Sequence, residues 1–179
     1  GTTTFETTEI PVTTTFETTT FTTTEVPSEL PIGWVFEDDE IVVSGTSSVV
    51  VNRNFTQLIR IMAAATVNIN ATLETTQTLV LQSNSTVIIA DEAHLVVQNL
   101  EITEGQVIVY GPVLVRNHFV LPQNVSLYLQ RDQPAAPRER VFVVDGDLVT
   151  LRGELRIDVL PAPALEAVRC RDLVFEEGS

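Results

Sequence analysis

Residues Val67 to Gln98 read VNINATLETTQTLVLQSNSTVIIADEAHLVVQ, and the pattern they set continues to Gln130. Val67, Leu73 and Leu79 open three short apolar runs six residues apart, and Leu79, Val87 and Leu95 follow at steps of eight. Val107, Val113, Phe119 and Val125 return to steps of six. A second apolar residue usually stands two places on: Ile69, Leu81, Ile89, Val97, Val109, Val115, Leu121 and Leu127. Alternation at i and i+2 puts both side chains on one face of a strand. Turn-forming residues fill the gaps, as in Ser83-Asn84-Ser85, Asp91-Glu92, Gly111-Pro112 and Gln123-Asn124. Helical spacing is scarce and β-branched residues dominate, so the chain is all-β.

Strands of three or four residues make hairpins that are marginal alone. Wound into coils, with each coil paired to the next, they bury the same residues in one continuous core. The expected fold is therefore a β-solenoid, parallel β-helix-like, with an antiparallel sandwich or meander as the alternative. Over about 65 residues the strand spacing resembles parallel β-helix surface proteins of the passenger and adhesin type. It departs from them in having few glycines at its turns. That resemblance alone would also allow a polysaccharide lyase. Such a site needs clustered acids and bases, and Arg116 is the only arginine or lysine between Val67 and Gln130. No catalytic signature is present, and no enzyme activity or cofactor is expected.

Outward from this ladder, residues 1–30 form a Thr-rich extended arm and residues 31–179 an all-β body. The body has a solenoid-like core over about 41–130 and an Arg-richer part over 138–179. Thr-Thr-Thr-Phe-Glu-Thr-Thr occurs at Thr2–Thr8 and again at Thr13–Thr19, and 14 of the first 30 residues are threonine. Such composition suits a disordered, mucin-like stalk with O-glycans at Thr2, Thr3, Thr4, Thr13, Thr14, Thr15, Thr22, Thr23 and Thr24. Large apolar residues nevertheless recur every five or six positions, at Phe5, Ile10, Phe16, Phe21 and Val26. Threonine also favours strands. Together they fit an arm that adds itself to an exposed sheet edge, with these five residues as anchors. Pro31-Ile32-Gly33 is the expected hinge.

In the body, Trp34–Phe36 and Ile41–Val43 are expected strands around the acidic turn Glu37–Glu40, which matches no calcium-loop spacing. Val49–Val51 reads as a buried strand and Leu58–Met62 as another. His94 and His118 are 24 residues apart, close to one coil, but no third metal ligand is evident, and no metal site is expected. In the last part, Val141–Val144, Leu148–Leu151 and Leu155–Val159 are expected strands. Asp145-Gly146 and Arg152-Gly153 read as hairpin turns, so this part is expected to be an antiparallel meander. Ala164–Arg171 reads as a short helix and Leu173–Phe175 as a last strand. Cys170, the only cysteine, lies between Arg169 and Arg171 and either packs as a small hydrophobe or bridges two chains.

Four Asn-x-Ser/Thr sequons, at Asn54, Asn70, Asn84 and Asn124, exceed the one or so that chance would place in this body. They point to N-glycosylation, the secretory pathway and an extracellular or cell-surface location. A glycan requires each asparagine to face solvent. Formal net charge is −14, against nucleic acid and anionic membranes as partners, and lysine is absent. No apolar run is long enough to cross a bilayer. Gly1 is not an initiator methionine, consistent with a processed or trimmed chain.

These features lead to a non-enzymatic extracellular structural glycoprotein. It would self-assemble, as a filament subunit, by docking its arm on the β body of a neighbouring copy. Glutamates at 6, 9, 17 and 25 would meet Arg138, Arg140, Arg152 and Arg156. The alternative is a stalked adhesin or binding domain whose partners are surface or matrix proteins or glycans.

Overall fold

The computed structural model describes residues 29–131, 140–146, 148–159, 166–169 and 172–175. These hold strands and no helix, wound as a β-solenoid of about five turns. The first turns are β1 (Trp34–Glu37), β2 (Glu40–Val43), β3 (Thr46–Val49), β4 (Arg53–Phe55), β5 (Leu58–Ile61) and β6 (Thr66–Ile69). The middle is β7 (Leu73–Leu81), β8 (Thr86–Ile89), β9 (Leu95–Ile102) and β10 (Gly105–Tyr110). Then come β11 (Val113–Val115), β12 (Phe119–Leu121), β13 (Val125–Arg131), β14 (Arg140–Val144), β15 (Leu148–Leu151) and β16 (Glu154–Val159). The last two are β17 (Glu166–Arg169) and β18 (Asp172–Phe175).

Each coil has three sides. The first face stacks β4, the leading half of β7, the leading half of β9, β11, β14 and β17. The second stacks β2, β5 and the trailing halves of β7 and β9, with β12, β15 and β18 continuing it. The third stacks β3, β6, β8, β10, β13 and β16. The sixes and eights of the sequence are thus the sides of a triangle. Three sides return the chain to the same column, so Val67 pairs with Val87, 20 residues on, and Val87 with Val109, 22 on.

Like residues stack in these columns. Ile41, Ile59, Leu79 and Leu100 form one, and Leu73, Leu95, Val113 and Phe142 another, all buried. A third joins Val67, Val87, Val109 and Leu129. On the first and second faces β7 and β9 pass the corner without ending, and a register shift between Thr75 and Thr78 takes up the bend. The corner into the third face needs a left-handed residue. Ala64, Asn84 and Asn124 fill it at φ of about 60°, with Gly45 and Gly105 at 69°. Asparagine tolerates this conformation through local hydrogen bonding, which is why so few glycines are needed.

Several expectations are corrected. The 138–179 part is not an antiparallel meander: β14 to β18 pair in parallel with the coil before them. Gly146 serves close packing instead of chain reversal, since a Cβ there would lie 2.3 Å from the Asn117 carbonyl carbon. Residues within Ala164–Arg171 form β17, because pairing with β14 satisfies the backbone where propensity alone suggested a helix. Val49–Val51 is not a buried run: β3 ends at Val49, and Val50 and Val51 are exposed on the corner. His94 and His118 lie on different corners, one before β9 and one between β11 and β12, and both are exposed. The one antiparallel pair among the described strands is β1–β2.

Candidate docking edge

The first coil is built around Trp34. Its indole Nε1 donates to Ser47 Oγ at 2.9 Å, and its ring lies 5.9 Å from that of Phe55. This buried contact fixes the hairpin β1–β2 against the solenoid. The hairpin turns at Asp38 and Asp39, whose φ values of 50° and 62° are those of a two-residue hairpin loop. β1 thereby covers the outer side of β2 and closes the second face. Arg60 pins the same corner, with Nε at 2.8 Å and Nη2 at 2.9 Å from the two Glu40 oxygens. That hydrogen bonding holds the Glu40 carboxyl below its ordinary pKa and the Arg60 guanidinium above its own, outweighing desolvation in both.

The third and first faces are, among the described residues, left open at this end. Among the described residues, β3 is the edge of its sheet and β4 pairs only with β7. The Gly45 and Val49 carbonyls accept from Thr66 and Asn70, so the alternate residues Thr46 and Ser48 turn their backbone groups to the open side. Natural edges are usually guarded by charges, proline or bulges. Thr46-Ser47-Ser48-Val49 has none of these.

Apolar surface gathers at the same end. Among the described residues, the exposed large apolar ones are Ile32 (95%), Val35 (52%), Val50 (69%) and Val51 (49%) in the first coil, with Ile88 and Val120 elsewhere. A groove of about 420 Å³ runs beside β3 between Leu30-Pro31-Ile32, Val50-Val51 and Arg53. Arg53 forms its rim: Nη1 donates to Glu29 at 2.9 Å, while Nε is buried with no hydrogen-bond partner. Alternation could have revealed part of this, since three consecutive valines cannot all face inward. The exposure of Ile32 carries no sequence signal beyond its place between a proline and a glycine.

The residues singled out earlier fall as follows. All four sequon asparagines are exposed: Asn54 on β4, Asn70 after β6, and Asn84 and Asn124 at the left-handed turns. The arm residues Phe5, Ile10, Phe16, Phe21 and Val26, the nine arm threonines, Arg138 and Cys170 lie outside the described residues. Arg140 begins β14. Arg152 and Arg156 are exposed, and the Arg156 guanidinium lies 5.7 Å from the Tyr128 ring centre. Among the described residues no three His, Cys, Asp or Glu side chains gather as a metal site, and no helix is long and apolar enough to cross a membrane. No protein-family model, curated protein or solved structure matches the chain.

Proposed function

We propose that this is an extracellular, N-glycosylated structural protein that assembles with copies of itself, the arm of one copy docking on the first coil of the next. The observation that carries this reading is the coincidence, among the described residues, of an unguarded strand edge with four of the six exposed large apolar side chains. A Thr-rich strand laid along β3 would bond to the Thr46 and Ser48 backbone and continue the outward column Thr46–Thr66–Thr86. A phenylalanine of the arm would enter the groove beside Val50 and Val51. A carboxylate of the arm would replace Glu29 on Arg53 at the rim.

Docking between copies is favoured over docking within one. Leu30 and Pro31 line the groove, so a copy's own arm would have to double back at once to fill it. A contact passed from copy to copy in this way makes a filament where it does not close on itself. The sequon asparagines lie on corners and on the first face, where glycans would keep filaments apart sideways.

Light scattering and negative-stain microscopy of the full chain and of a form lacking residues 1–30 test this. Filaments or large oligomers from the full chain and monomers from the truncated form are expected, as are monomers from the full chain carrying Val50→Asp and Val51→Asp. Monomers from the unaltered full chain would overturn the proposal.

A further inference from the structure

On the corner between the first and second faces, polar side chains are stacked row upon row. Asn99 Nδ2 donates to Thr78 Oγ1 at 3.4 Å, Asn117 Nδ2 to Asn99 Oδ1 at 2.8 Å, and Gln98 Nε2 to Asn117 Oδ1 at 2.9 Å. Backbone bonds from Arg116 to Val97 and from Asn117 to Gln98, each 2.9 Å, hold the rows together. Above them the Arg116 guanidinium reaches Asp145 by a single contact of 3.1 Å, Nη1 to Oδ2. A cleft of about 340 Å³ opens here, lined by Asn99, Arg116, Asn117, His118, Asp145 and Gly146. Gly146 lets the upper row close down on the lower, since its Cβ would lie 2.4 Å from the His118 nitrogen.

We propose that this cleft binds a neutral saccharide. It offers fixed amides, a guanidinium with most of its donors unused, an imidazole and a carboxylate, and no large apolar side chain. A polyhydroxylated ligand matches such a set, because each hydroxyl both donates and accepts. Asp145 would accept from two neighbouring hydroxyls, while Arg116 and Asn117 would donate to ring or hydroxyl oxygens. The amide ladder is already ordered, so little side-chain freedom is lost on binding. An anionic ligand is disfavoured, since Asp145 already neutralises Arg116 and the chain carries −14. This site lies on rows β9, β11 and β14, away from the β3 edge on the third face, and does not depend on assembly.

Saturation-transfer NMR with glucose, galactose, mannose, N-acetylglucosamine and their short oligomers, with glucuronate alongside, tests the site on the full chain. At least one neutral sugar is expected to bind, about tenfold more weakly to Arg116→Gln and to Asp145→Asn. Both side chains are about half exposed, so both variants are expected to fold and to assemble like the parent. Absence of binding by every neutral sugar, binding unchanged in both variants, or binding of glucuronate alone would overturn the proposal.

Discussion

Arg60 and Glu40 face each other on the second face, with both carboxylate oxygens engaged. Glu40 is depressed in the folded chain, so its contribution is fully present above the unfolded carboxylate pKa, about 4.3, and is lost as pH falls through the lower folded value. Glu40→Gln is expected to cost up to about 1 kcal/mol at neutral pH. That difference should vanish in strong acid, which denaturant unfolding at the two pH values would check. Inside, Phe119 and Phe142 meet edge to face at 5.1 Å between ring centres, both fully buried. Phe119→Ala is expected to destabilise by about 3–5 kcal/mol in the same measurement. Gly111 has φ of 107° and would place a Cβ 2.6 Å from the Ile89 carbonyl oxygen, so Gly111→Ala is expected to cost more than about 1 kcal/mol. Inward positions such as Val67, Leu73 and Leu79 were legible because a period of two is a local property. The outward direction of Tyr110 and Tyr128 follows from the same alternation, since Val109 and Leu127 beside them point inward.

Strands were legible in type, and their parallel pairing in the core, but not the direction of pairing in the 138–179 part. Asp-Gly after an apolar run signals a hairpin only when the next strand lies within the same sheet. Here the following strand belongs to the next side of the triangle, and its partner lies a full coil away. Gly146 and Gly153 are there because the corner of one coil presses on the corner below. The β3 edge had no signature of its own, since an edge is defined by what is missing beside it. Ser48→Lys places a charge on that edge. It is expected to alter stability by less than about 0.5 kcal/mol while abolishing arm-dependent oligomers, read by thermal unfolding and light scattering.

Across the whole molecule, the step of 20 to 22 residues in the middle coils emerges only when the three sides are summed. The sequence showed the sixes and eights but not the triangle, and the interval between Leu95 and Val107 hid the side carried by Leu100 and Ile102. Nothing in those intervals foretold the Asn99–Asn117 ladder, which exists only because residues 18 apart meet one coil on. Net charge also acts at this scale. Copies carrying −14 repel one another, so raising ionic strength from about 0.01 M to about 0.15 M, which shortens the Debye length from about 30 Å to about 8 Å, is expected to promote association. Light scattering across that range would measure it. Weaker association in salt would show that the Glu–Arg contacts outweigh the repulsion.

The parallel ladder has a mechanical consequence. Every hydrogen bond between coils lies roughly along the solenoid axis, and the chain enters at one end of the stack. Tension along that axis meets the bonds one row at a time, as in a zip, and each yielding coil releases roughly 70 Å of chain for its 20 residues. The hairpin anchored by Trp34 sits where such a load would first arrive, and acts as the clasp. A body of this kind is expected to lengthen in steps of about one coil, which single-molecule stretching would read.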